Sequence, residues 1–271
     1  MKATGNIRKM RAKLGDVVQY TLPLYDVLEE NESVPMNGLV GKTVSIRHTG
    51  TINCVVTGKR INRAYGEGMS YDAFRSSPLA VESIIRPELC QAHLGIALRD
   101  LEWEVERHVK PHYVYLSLTS GIKVGVTRKT QIPTRWIDQG AVKALFLAET
   151  PYRQASGLIE VALKAYIADK TNWRNMLKNV FTHTTSLEEE KLRLKELIPD
   201  ELKQYGSEDD TVTSINYPVL QYPEKVTSLK LDKVPEIEKQ LIGIKGQYLI
   251  FDDSTVMNLR SHAGYQIILE A

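Results

Sequence analysis

Apolar and polar residues alternate through His112-Tyr-Val-Tyr-Leu-Ser-Leu118 and again through Ile122-Lys-Val-Gly-Val-Thr127. Thr119-Ser-Gly121 stands between them as a turn, so the pattern predicts a β-hairpin. Residues 131–142 suit a short helix with Pro133 in its first turn. Lys143-Ala-Leu-Phe-Leu-Ala-Glu149 reads as a third strand. Residues 152–168 carry a helical stripe of Leu158, Val161, Ala162, Ala165 and Tyr166, with Asp169-Lys170 at its end. Thr171 is placed to cap a further short helix through Leu177. Together these elements predict a small α/β domain over 111–182, a three-stranded antiparallel sheet with helices.

The flanks read as β-rich, which makes the fold class α+β. In the N-terminal region, 1–110, Tyr20–Leu24 is a short extended piece and Glu29–Glu32 a polar turn. Val44, Ile46 and His48 repeat with period two, and Thr49-Gly50 suits a hairpin turn. Residues 57–100 look irregular. The C-terminal region, 183–271, opens on Ser186-Leu-Glu-Glu189, a capping-box pattern that predicts a charged helix over 186–205. Gly206–Asp210 is a polar linker. Strands are expected at 225–231, 241–245, 247–251, 256–260 and 265–269, spaced as in a small antiparallel sheet or barrel.

Composition adds bounds rather than identity. The chain has 271 residues, 42% hydrophobic and 25% charged, which is ordinary for folded domains. No apolar run approaches the ~18 residues that span a bilayer, so no membrane partner is expected. Two cysteines, Cys54 and Cys90, cannot build a disulfide framework, and lone thiols fit the cytoplasm. The net charge is +2, yet residues 111–180 hold ten Lys/Arg against four acids. Such a local excess can steer a polyanion while the whole chain stays nearly neutral. Clustering of ordinary surface lysines is the alternative.

The candidate chemistry lies in the same region. Tyr115 is mid-strand, Lys123 and Gly125 are on the second hairpin strand, Arg135 is on the next helix, and Glu160 is on the long helix. Gly125 leaves room for a backbone or a phosphate to approach. Phosphodiester hydrolysis needs a base near water, charge compensation on phosphate oxygens, and a hard cation on oxygen ligands. Tyr115, Arg135 and Glu160 could supply these, with Lys123 beside them. Each has a structural alternative: Tyr115 as a sheet aromatic, Arg135 stacked on Trp136 or paired with Asp138, and Glu160 in an i,i+4 pair with Lys164.

The order Tyr113-Val-Tyr-Leu116, Lys123-Val-Gly-Val-Thr-Arg128, Arg135-Trp136 and Glu160 resembles the GIY-YIG endonuclease signature. More specifically, Arg135-Trp-Ile-Asp-Gln-Gly-Ala141 and Asp169-Lys-Thr-Asn-Trp173 look like an uncharacterised bacterial family known as domain of unknown function 2797. The likeness extends over roughly Gly5–Leu177 and around Gly246–Phe251. It implies catalytic Tyr115, Arg135 and Glu160, with Lys123 as a further candidate and Glu160 holding Mg²⁺ or Mn²⁺. From the local excess of cations, Lys123, Arg128, Lys129 and Arg153 are the candidates to contact nucleic acid. Two departures matter: Lys123 replaces the second-motif tyrosine, and Gln139 stands where many such nucleases place histidine.

Relatives also look zinc-ribbon-like near Cys54 and Cys90-Gln-Ala-His93. Here Thr57 and Met69 stand where further ligands would be needed, so the ribbon reads as degenerate and structural zinc is disfavoured. His48, His108, His112, His183 and His262 show no metal spacing, and no Gly-rich phosphate loop or Ser/His/Asp arrangement is recognisable. The readings carried forward are a metal-dependent phosphodiesterase acting on DNA or RNA, a non-catalytic nucleic-acid-binding protein on the same scaffold, and an interaction scaffold.

Overall fold

The structure is a computed structural model that describes residues 1–168, 170–182 and 185–271. Asp169 and His183, singled out above, lie outside the described residues. In chain order the strands begin with β1 (Lys2–Ile7), β2 (Arg11–Lys13), β3 (Gln19–Asp26), β4 (Glu29–Pro35), β5 (Thr43–Asn53) and β6 (Arg60–Ile61). Helices α1 (Tyr71–Ser76) and α2 (Leu101–His108) precede β7 (His112–Leu118) and β8 (Ile122–Arg128). Then come α3 (Thr134–Asp138), β9 (Lys143–Thr150), α4 (Arg153–Leu163), α5 (Trp173–Leu177), α6 (Leu187–Lys195) and β10 (Thr213–Ser214). The chain finishes with β11 (Thr227–Leu229), β12 (Glu236–Lys245), β13 (Tyr248–Phe251), β14 (Thr255–Asn258) and β15 (Tyr265–Glu270).

These elements form two compact units, residues 1–77 with 216–271, and residues 78–215. The division differs from the expected cuts after 110 and 182. The two β-rich flanks are one unit, because β15 inserts between β5 and β1 in a sheet ordered β11-β14-β13-β12-β5-β15-β1-β3-β2. With β4 on β3 and β6 on β5, this sheet has eleven strands among the described residues. Lys2 lies opposite Glu270, and Ile46 opposite Leu269. Period-two alternation buries Tyr20, Leu22 and Leu24 from β3, Val44 and Ile46 from β5, and Ile267 and Leu269 from β15. Glu29–Glu32, expected as a turn, is the exposed edge strand β4. The turn falls two residues earlier, where Val27 takes a φ of 57°; charged side chains on an edge also discourage pairing with another chain.

The second unit contains the predicted hairpin. Its sheet runs β10-β9-β7-β8, all antiparallel, one strand more than expected because Thr213–Ser214 pairs with β9. One face is apolar: Val114, Leu116, Val124, Leu145 and Leu147 pack with Ala155, Ile159 and Leu163 of α4 and with Leu187 and Leu194 of α6. The α6 capping box is present, Ser186 Oγ accepting from Glu189 N at 3.1 Å. Pro199 separates α6 from a 3₁₀ turn at 200–205, so the single long helix does not form. Asn172, not Thr171, caps α5, its Oδ1 accepting from Asn175 N.

Helix α4 is shorter than its pattern, and its buried stripe differs. Leu158, Val161 and Tyr166 are exposed, whereas Ala155, Ser156, Gly157, Ile159 and Leu163 face inward. The reason is close backbone approach. A Cβ on Gly157 would lie 2.3 Å from Glu88 N, so only glycine lets residues 87–88 lie against the helix. Gly157→Ala should therefore reduce the unfolding free energy, read from urea denaturation, by an overpacking cost of about 1–3 kcal/mol. Leu158→Ala, on the exposed face, should stay within about 0.5 kcal/mol. Equal effects from the two variants would contradict this packing.

Candidate functional site

The register of β7 on β8 pairs Tyr113 with Thr127, Tyr115 with Gly125 and Ser117 with Lys123. Directly opposed residues share a face of the sheet, so these side chains lie opposite the apolar core described above. Tyr115 lies across Gly125: a Cβ there would be 2.7 Å from the phenol Cζ and Oη. The space left by Gly125 is thus filled by the neighbouring strand's own tyrosine rather than kept open for a phosphate. Trp136 of α3 meets the ring edge-on at 6.1 Å, and Phe146 of β9 packs on Trp136 at 5.1 Å.

Tyr115 is fully buried. Its Oη donates to Gln139 Oε1 at 2.9 Å. Burial pushes the phenol above its ordinary value, the positive Arg135 guanidinium, which also hydrogen-bonds it, pulls the other way, and the Glu160 carboxylate adds a further upward push. The Arg135 guanidinium of α3 and the Glu160 carboxylate of α4 therefore both lie within electrostatic reach of the β7 phenol. The phenol keeps its proton at neutral pH and is a hydrogen-bond donor, not a free base.

The other expected residues are placed as follows. Glu160 approaches Lys164 Nζ at 3.7 Å, the i,i+4 pairing foreseen as its structural role. Lys123 is only 5% exposed, and its strand bridges to Ala168. Arg153, at the start of α4, donates Nε and Nη2 to the Ser83 and Ile84 carbonyls, each at 2.8 Å. Burial lowers it to about 10, with Cys90 and Glu160 opposing, and Arg135 and Arg128 adding to the depression. Lys129 is exposed, bridges Glu149 at 2.8 Å and sits 5.4 Å from the centre of the Tyr113 ring.

Arg128 is also lowered, first by burial and then by repulsion from Arg107, which Glu106 partly offsets. Arg107 crosses the Trp103 ring at 5.0 Å, and its Nε is buried without a partner among the described residues. Next to it on α2, burial and the charges of Arg153, His112, Arg128 and Arg107 hold His108 at about 3. Four guanidiniums, from α2, β8, α3 and α4, thus feel one another inside one unit. Sequence reading missed Arg107, which stands outside the segment whose charges were counted, in a helix with no predicted partner.

A model of the family described as Protein of unknown function (DUF2797) matches residues 41–267. The chain belongs to that family. No curated protein and no solved structure gives a match. The DUF2797 match runs through both compact units and covers every site residue named above. No helix among the described residues of this DUF2797 member is long and apolar enough to cross a membrane.

The buried phenol makes a pH-dependent contribution. Because its folded value lies above the unfolded one, its stabilisation is whole below the ordinary tyrosine value of about 10 and is lost as pH rises beyond it. Tyr115→Phe should cost about 0.5–1.5 kcal/mol at pH 7 for the lost bond to Gln139. It should also flatten the alkaline fall in stability, measured by urea unfolding from neutral to strongly alkaline pH. An unchanged alkaline limb would show that the phenol ionises freely.

Proposed function

We propose that this protein binds nucleic acid on a GIY-YIG-like scaffold, gripping the phosphate backbone with Arg107, Arg128, Lys129 and Arg135. The observation that carries this reading is the crowding of four guanidiniums, two of them depressed by burial and mutual repulsion. Like charges held together raise the local potential, and a polyanion relieves the repulsion when it binds. Guanidinium also suits phosphate, offering paired donors in a fixed plane. Binding is favoured over cutting because the phenol that would serve as base is enclosed and donates to Gln139. The likeness to GIY-YIG is supported by Tyr115 opposite Gly125 on a hairpin, an arginine on the next helix and a glutamate on α4.

A second reading, metal-dependent phosphodiester cleavage with Mg²⁺ or Mn²⁺ on Glu160, is favoured by the electrostatic association of Tyr115, Arg135 and Glu160. A carboxylate can hold Mg²⁺ while the ion keeps several waters. The chemistry would then need the phenol to open toward substrate.

Fluorescence anisotropy with labelled single-stranded DNA, duplex DNA and RNA, in EDTA, tests the binding reading. Affinity should fall steeply between about 50 and 200 mM salt. Neutralising Arg107, Arg128 and Lys129 together should weaken binding to all sequences and reduce the salt slope by roughly one for each phosphate that is no longer neutralised. No binding at low salt, or binding indifferent to those changes, would sink the proposal. Cleavage of the same substrates with Mn²⁺, abolished in Glu160→Gln, would promote the second reading.

A further inference from the structure

We propose that Cys90, Glu104 and His108 form a zinc site that staples the irregular segment 78–100 to α2. The sequence disfavoured zinc because Thr57 and Met69 stand where ligands to complete a site with Cys54 and Cys90-Gln-Ala-His93 would be needed. The structure brings a different set together. One ligand atom each from Cys90, Glu104 and His108 lies within 4.8 Å of the others, and all three residues are buried.

The geometry suits a tetrahedral ion. Cys90 Sγ and His108 Nδ1 are 3.4 Å apart; on a shared zinc, with usual bond lengths, that edge is about 3.6 Å. Glu104 and His108 are four apart on α2, so both project from one face of the helix. The carboxylate is already oriented. Glu104 Oε1 accepts from the backbone N–H groups of Leu98, Arg99 and Asp100 at 3.0, 2.8 and 3.3 Å. Its other oxygen, Oε2, is buried with no hydrogen-bond partner among the described residues. A carboxylate fixed through one oxygen, with the second left bare beside a thiol and an imidazole, is the arrangement that outer hydrogen bonds produce around a metal.

Charge and softness select the ion. A thiolate and a carboxylate balance one dication, so the loaded site is neutral toward Arg107, Arg128 and Arg153 around it. Sulfur and nitrogen donors favour zinc over magnesium or calcium. Three protein ligands leave a fourth position for water. The segment needs such a tie: residues 78–94 are a run of short 3₁₀ turns, at Pro78–Ala80, Glu82–Ile84, Pro87–Leu89 and Ala92–Leu94, with no strand pairing. This inference is independent of the nucleic-acid reading.

The test is elemental analysis of full-length protein purified without chelator from zinc-supplemented cells, followed by replacement of zinc with Co²⁺. About one zinc per chain is expected, and the cobalt form should show tetrahedral ligand-field bands with a thiolate-to-cobalt charge-transfer band in the near ultraviolet. Cys90→Ser and His108→Ala should lose both metal and bands, while Cys54→Ser keeps them. Wild-type protein with negligible zinc, a cobalt spectrum without the thiolate band, or zinc and bands retained by Cys90→Ser would each overturn the proposal. The first two measurements need no variant to fold.

Discussion

The pairing register between β7 and β8 is the constraint on which the second unit rests. A slip of β7 by one residue would turn Val114 and Leu116 away from the core they share with Val124 and put Tyr115 into their place. In the observed register each pleat has a clear assignment. One face closes the apolar core. The other places a tyrosine over a glycine and brings α3 close enough for Gln139 and Arg135 to reach the phenol. The glycine is therefore not slack in the strand. It is the negative imprint of the ring beside it.

The same unit concentrates charge in a poor solvent. Burial weakens the hydration of Arg128 and Arg153, and neighbouring guanidiniums add repulsion that Glu106, Glu160 and the carbonyls of Ser83 and Ile84 only partly offset. In the β-rich unit Arg11 and Arg260 instead pair directly with Glu30 and Glu67.

Much of the architecture could be read from local pattern. The hairpin falls within one residue of its expected bounds, and the third strand likewise, because period-two alternation and a Thr-Ser-Gly turn are short-range signals. The C-terminal strands were also visible. Their destination was not. Nothing near Tyr265–Glu270 indicates that it will lie between strands more than two hundred residues earlier in the chain. On α4 the large apolar residues misled, because small ones at 155–157 carry the close packing. Tyr115, Arg135 and Glu160 could be grouped from residue type and placement alone, and family likeness added the roles expected of them. The Cys90, Glu104 and His108 cluster was hidden because eighteen residues and a change from turn to helix separate its ends.

The insertion of one unit between the two halves of the other has a consequence for biosynthesis. As the chain leaves the ribosome, residues 78–215 have every strand of their own sheet before β15 has been made. Until then β1 and β5 each expose an unpaired edge where β15 will later dock. Partly made chains thus carry sticky strands until β15 emerges, a state open to trans pairing on crowded polysomes. The larger sheet cannot close until β15 has been made, whatever the speed of its neighbour.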